Sequence, residues 1–224
     1  MDVDLPVVYV VDDDARICEA VSELLASNDL QVFAFNSITQ FLAFERPSCT
    51  ACLILDVRLP DDNGLNLQAK LAGTDHLPII FITGHADVPS SVRALKAGAI
   101  DFLLKPFDGQ QLVQTVYAAL ERSRVARIVS ARRACLAECF ARLTPREREV
   151  LPLMVSGLLN KQAAALLRIS EVTLQIHRGQ VMRKMAAKSL PQLVRMADEL
   201  SACGILTLRE PDHAALVQRA RTCS

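Results

Sequence analysis

Apolar residues follow two patterns along this chain. Up to about residue 104 they form short unbroken runs: Val7-Val8-Tyr9-Val10-Val11, Leu53-Ile54-Leu55, Ile79-Ile80-Phe81-Ile82 and Phe102-Leu103-Leu104. Runs of this length suit parallel strands covered on both faces. Strands are expected at 6–11, 31–35, 52–56, 78–82 and 100–104, alternating with helical patterns. The first helix sets Ile17, Val21, Leu24 and Leu25 opposite Arg16, Glu19 and Glu23. Asp87 reads as the N-cap of the fourth helix, with Pro89 tolerated in its first turn. Five strands alternating with five helices predict an α/β doubly wound parallel sheet in the first half.

From about Asp108 the pattern becomes helical throughout. A helix is expected to run past Glu121 into Arg122, Arg124, Arg127, Arg132 and Arg133, a glycine-free and proline-free stretch that favours a helical linker over 123–141. Thr144-Pro145-Arg146-Glu147 is then a capping box with proline at the first helical position. The helix it opens, through Val150, Leu151 and Met154, should stop at Gly157. Asn160 is expected to cap a short helix through Leu167, with Arg168-Ile169 as a tight turn, and Ser170 to cap the next helix to about Met185. Ser189 with Gln192 caps a fourth, with Leu190, Leu193, Val194, Ala197 and Leu200 on one face. Four short helices with a tight turn between the second and third describe a helix-turn-helix module over 142–206. Residues 207–224 read as a loosely held tail.

The third of these helices has a divided surface. Leu174, Val181 and Met185 form an apolar stripe with His177 at its edge, and Val172, Gln175, Ile176, Gly179 and Arg183 lie opposite. A core stripe opposed by small and polar residues plus an arginine suits entry into a DNA major groove. Arg178, Lys184 and Lys188 flank it as candidate phosphate contacts. Charge supports a polyanionic partner. The formal net charge is zero, but residues 1–125 carry 17 Asp and Glu against 9 Lys and Arg, net −8, leaving +8 on residues 126–224. No apolar run reaches 18 residues and no basic leader precedes a greasy stretch, so no membrane association and a cytoplasmic location are expected.

Chemistry concentrates where the strands end. Asp12 and Asp13, Asp56, Thr83 and Lys105 each follow or close one of the apolar runs. Ligand crevices of open α/β sheets lie beyond the carboxyl ends of the strands, so these groups should converge. Three carboxylates repel one another, and a hard cation with oxygen ligands, expected to be Mg²⁺, relieves that. One carboxylate can then attack phosphorus, while the metal and the Lys105 ammonium offset phosphoryl charge and Thr83 donates a hydroxyl.

The segments Val11-Asp12-Asp13-Asp14, Leu55-Asp56-Val57-Arg58-Leu59-Pro60-Asp61, Ile82-Thr83-Gly84-His85 and Leu104-Lys105-Pro106-Phe107 make residues 5–122 resemble a response-regulator receiver domain, expected to span 1–122. The resemblance implies that Asp56 is the phosphoacceptor. It implies that Asp12 and Asp13 hold Mg²⁺ with Asp56 and the backbone carbonyl of Arg58. Thr83 and Phe102 would be a switch pair, and Lys105, before a cis Pro106, would contact the phosphoryl group. The strand order 2-1-3-4-5 is carried over from flavodoxin-like folds, which include receivers, and is not worked out from these residues.

Leu143-Thr144-Pro145-Arg146-Glu147-Arg148-Glu149-Val150-Leu151, the stretch Ser170 to Met185, and Lys188-Ser189-Leu190 resemble the LuxR-type DNA-binding domain. Together with Thr83-Gly84-His85-Ala86-Asp87-Val88-Pro89, they place the chain with FixJ-like regulators of the NarL/FixJ family. That family implies a transcription regulator rather than an enzyme. Its implied partners are a sensor histidine kinase, promoter DNA and a second copy of itself once phosphorylated, with RNA polymerase as a further candidate. DNA contacts would come from Val172, Gln175, Ile176, Gly179, Arg183, Lys184 and Lys188. Two departures stand out: Arg168 occupies a turn that often carries glycine or asparagine, and Gly179 sits mid-helix on the DNA-facing side.

Two enzymatic readings compete. A phosphohydrolase would use Asp56 as a transient nucleophile but needs a water-activating base, for which His85 is the sole spare candidate. A thiol oxidoreductase would use Cys49 and Cys52, but that C-x-x-C runs into a strand rather than a helix N-terminus. Cys135 and Cys139, four apart on a helix, have no partner at zinc spacing, so buried or idle thiols are expected.

Overall fold

The computed structural model describes residues 5–71, 77–84 and 88–207, with backbone alone for 88–91. Expectations at His85 and Asp87, and for the tail beyond Thr207, lie outside the described residues. The chain divides into two units between Ile128 and Val129.

The first unit holds β1 (Val7–Val11), α1 (Ala15–Ala26), β2 (Gln31–Phe35), α2 (Ile38–Ala43), β3 (Ala51–Asp56), α3 (Gly64–Leu71), β4 (Ile79–Thr83), α4 (Val88–Lys96), β5 (Asp101–Leu104) and the start of α5 (Gly109–Ala141). The strands pair in parallel in the order β2-β1-β3-β4-β5. Alternate residues of each apolar run face opposite sides, which is why the runs are unbroken. Tyr9, Leu53, Leu55 and Phe81 meet Ile38 and Phe41 of α2, Leu67 of α3 and Ala94 of α4. Val8, Val10, Ile54, Ile80 and Leu103 meet Val21 and Leu25 of α1 and Leu112 and Val116 of α5. β1, β3 and β4 are buried on both faces, which leaves their ends for chemistry, whereas β5 lies at the sheet edge and its run leaves Leu104 exposed. Every observed strand boundary falls within one residue of the expected one.

The second unit contains the C-terminal part of α5, then α6 (Pro145–Val155), α7 (Asn160–Leu167), α8 (Glu171–Lys184) and α9 (Leu190–Ala202) around one core. The stretch expected as a linker at 123–141 is the second half of the 33-residue α5. Its residues divide between the units. Ser123 is buried in the first, where its hydroxyl accepts from the Ala51 amide at 3.2 Å, and Leu136 belongs to the core of the second.

The Thr144 capping box forms as expected: Thr144 N–H donates to Glu147 Oε2 at 2.7 Å and Glu147 N–H to Thr144 Oγ1 at 3.3 Å. Asn160, expected as a cap, is the first helical residue of α7. Leu159 takes the cap position, and Gln162 Oε1 accepts its amide at 3.0 Å. Arg168 adopts the left-handed conformation at φ 53° and ψ 47°, which costs a non-glycine residue about 1 kcal/mol. On α9, Leu190 is exposed rather than part of the core stripe, and Met196 supplies the missing contact.

Candidate functional site

β1, β3, β4 and β5 deliver their last residues to one end of the first unit. Asp12 is fully buried and Asp56 is 6% exposed, because both sit at the ends of β1 and β3, inner strands of the sheet. Lys105 arrives from the end of β5, its amide donating to the Thr83 carbonyl at 2.8 Å. Its ammonium donates to Asp12 Oδ2 and to Asp56 Oδ2, each at 2.5 Å. The second oxygens accept backbone amides: Asp14 N–H to Asp12 Oδ1 and Arg58 N–H to Asp56 Oδ1, both at 2.9 Å. Asp13 is exposed, and one carboxylate oxygen from each of Asp12, Asp13 and Asp56 lies within 4.8 Å of the others. The Lys105–Pro106 peptide is cis.

Three carboxylates against one ammonium leave the crevice negative. Burial raises the Asp12 carboxyl above its ordinary range, and the Lys105 and Asp14 hydrogen bonds only partly offset this. Lys105 shows the opposite balance: burial works to lower its value, but its bonds to Asp12 and Asp56 outweigh that and raise it. The ammonium therefore stays charged, as a group that neutralises phosphoryl oxygens must. Thr83 is buried at the end of β4. Phe102, one strand over, is half-buried against Phe81, their ring centroids 6.3 Å apart.

Other residues shape this site without having been singled out in the sequence. Asp14 caps α1, accepting from Arg16 N–H at 3.0 Å, so the third acid of the triplet is structural. Gly64 approaches the site so closely that a Cβ there would lie 2.5 Å from the Asp56 carbonyl oxygen. Glycine is required by contact, and Asp62-Asn63-Gly64 carried that signal only as an ordinary turn. Asp61 accepts both the amide and hydroxyl of Thr39 at 3.0 Å, fastening the loop after β3 to α2.

The second unit presents α8. Leu174, Val181 and Met185 are fully buried, whereas Val172 is 70% and Ile176 60% exposed, with Gln175, Gly179 and Arg183 exposed beside them. Lys188 is exposed beyond the helix end. Lys184, expected as a DNA contact, is also engaged within the domain. Its ammonium donates to Glu147 Oε2 at 2.7 Å, and the glutamate is only 4% exposed, so it serves inside the domain before it can serve DNA. A helical wheel marks Lys184 as flanking but cannot show that a buried acid from α6 lies beneath it.

The cysteines offer no redox centre among the described residues. Cys52 is fully buried in β3, and burial pushes its thiol far up, the reverse of an activated thiolate.

A doubly wound sheet of this order, with an acid crevice and lysine at its carboxyl end, defines a receiver-type phosphotransfer module joined to a helix-turn-helix module. Residues 8–117 match the response regulator receiver domain, and residues 141–197 match the bacterial regulatory proteins of the luxR family. The chain is 48% identical to Nodulation protein W of Bradyrhizobium diazoefficiens over 195 residues, 87% of this chain and 86% of that protein. It is 43% identical to the transcriptional regulatory protein FixJ of Azorhizobium caulinodans, covering 85% of this chain and 90% of that one. The solved structure of the response regulator StyR superposes with a TM-score of 0.80 at 42% identity, over 87% of this chain and 99% of that one. This chain belongs to the FixJ-like response regulators: a receiver domain followed by a LuxR-type DNA-binding domain, a transcription regulator rather than an enzyme.

Proposed function

We propose that Asp56 accepts a phosphoryl group from a partner sensor histidine kinase and that its phosphorylation controls promoter binding through α8. The observation that carries this reading is the Lys105 ammonium bonded to both Asp12 and Asp56 at the mouth of the strand ends. A carboxylate oxygen of Asp56 forms the new bond to phosphorus as the bond to the leaving imidazole breaks. Lys105 then has a phosphoryl oxygen to neutralise in place of a carboxylate, and the Thr83 hydroxyl is the donor next in reach along β4. Phe102, packed on Phe81, repacks as Thr83 turns toward the phosphoryl group.

The donor set fits Mg²⁺: all-oxygen, with more carboxylates than one ammonium can neutralise. Asp13 directly, Asp12, Asp56 and the Arg58 backbone carbonyl would hold it. When bound, the cation offsets charge on the transferring phosphoryl oxygens. Switching the module from 1:99 to 99:1 needs about 5.5 kcal/mol of differential stabilisation, within reach of a dianion gaining Lys105 and a cation.

The phosphorylated receiver pairs with a second copy across α4 and β5. Val92, Leu95 and Leu104 are 43%, 46% and 47% exposed there, an apolar surface with Lys96 beside it. On α8, Val172, Gln175, Ile176, Gly179 and Arg183 face the bases and Lys188 a phosphate, Lys184 following only if it leaves Glu147. RNA polymerase is the further partner of a promoter-bound regulator. No described helix is long and apolar enough to cross a membrane, and the cytoplasm is the compartment this role requires.

Acetyl phosphate with Mg²⁺, followed by intact-protein mass spectrometry, tests the assignment. One phosphate should add to the native chain and none to Asp56→Asn; full-occupancy phosphate on the variant would refute it.

A further inference from the structure

We infer that Val172 and Ile176 read thymine methyl groups, so that the operator half-site is specified by thymines within about two base pairs of each other. The inference rests on the DNA-binding reading of α8 and deepens it.

Leu174, Val181 and Met185 already satisfy the core face of α8, all at 0% exposure. Val172 and Ile176 lie four residues apart on the other side, 70% and 60% exposed. β-Branched residues are mediocre helix formers. Nothing in the folding of this domain explains two of them facing water on one turn. Their surroundings are basic: Arg178, Arg183 and Lys188 flank the same helix in a half of the chain with net charge +8. Such a rim suits a polyanion.

The major groove carries one apolar group on its base edges, the thymine C5 methyl. A pair of exposed aliphatic side chains within a basic rim therefore selects thymine over the other three bases. Four residues of helix advance about 6 Å, against roughly 3.4 Å per base pair, which spaces the two contacts by about two steps. Gln175, exposed between them, has the carboxamide that pairs bidentately with adenine N6 and N7. Gly179, one turn further on, has open space where a Cβ would be and brings only backbone to the bases, so the aliphatic part of the readout ends with Ile176.

Full-length protein with acetyl phosphate and Mg²⁺ would select duplexes from a random pool. Deoxyuridine would then replace thymidine at each position of the selected site, which removes the methyl and leaves pairing intact. Native protein should bind about four-fold more weakly at each contacted position, the change that corresponds to about 0.8 kcal/mol for one buried methyl. Val172→Ala should lose sensitivity at one position and Ile176→Ala at the other. Alanine is the best helix former, so both variants keep α8. Lys188→Ala should weaken every duplex while keeping the methyl sensitivity. An enriched site at which deoxyuridine costs nothing, or at which both alanine variants stay fully methyl-sensitive, overturns this inference and leaves DNA binding standing. A pool that yields no enriched sequence overturns both.

Discussion

Asp12→Asn should stabilise the receiver in the absence of divalent cation, although it removes a buried hydrogen-bonded charge. Asp12 is fully buried, with carboxylates of Asp13 and Asp56 within 4.8 Å. Lost hydration is the largest cost of the charge, several kcal/mol. Repulsion from Asp56 adds a smaller one, and Lys105, the compensating charge, is shared with Asp56. The balance is unfavourable to the ionised form, as the raised Asp12 value shows. Asparagine keeps an oxygen for the Asp14 amide, and Lys105 keeps Asp56. A gain of about 1–2 kcal/mol follows, or roughly 0.5–1 M in the urea midpoint. The pH dependence has a definite sign. A raised carboxyl holds its proton more tightly when folded, so its contribution is most favourable in acid and is lost as pH rises through the raised value. The variant's advantage should therefore grow from about pH 4 to pH 7. Both tyrosines, Tyr9 and Tyr117, lie in the first unit and there is no tryptophan, so tyrosine fluorescence during urea unfolding reports the receiver alone. Saturating Mg²⁺ at 100 times its Kd should add about 2.7 kcal/mol to the native chain and much less to the variant. A variant less stable than native at pH 7 in chelator would refute the electrostatic account.

Glu147→Ala should destabilise the second unit by about 2–3 kcal/mol, combining a lost capping box with a part-buried Lys184 left without its partner, as read from helix loss by circular dichroism. Burial alone would raise the Glu147 carboxyl, but Lys184 and Thr144 together hold it below its ordinary value, so its contribution is present above about pH 4.5 and lost as pH falls; the variant should lack that part of the acid transition. Gly179→Ala should stabilise the same unit by about 1 kcal/mol, since apart from the adjoining backbone of α8 nothing lies within 4 Å of the added Cβ, and a lower thermal midpoint would contradict this.

The receiver was legible because its signals are local. An unbroken apolar run predicts a strand, and the residue that ends it sits at the sheet end, so Asp12, Asp56, Thr83 and Lys105 could be gathered from the sequence, although the run before Lys105 did not show that β5 is an edge strand with Leu104 exposed. The strand order came from resemblance, since no run says which neighbour it pairs with. What escaped depends on contacts between distant segments. Lys184 looks like a surface cation until Glu147, 37 residues earlier, is seen beneath it. Gly64 looks like a turn glycine until the Asp56 carbonyl is found where its Cβ would be. Asn160 has a capping side chain but lies one residue inside α7, where Gln162 caps Leu159 instead.

The central claim is that phosphoryl chemistry at Asp56 governs DNA binding by α8. Titrating a selected duplex with native and Asp56→Asn protein, each with and without acetyl phosphate and Mg²⁺, tests it most directly. The account predicts a marked gain in affinity for the native chain only, tracking phosphate occupancy by mass. An equal gain in Asp56→Asn, or unchanged affinity in a fully phosphorylated native protein, would contradict it.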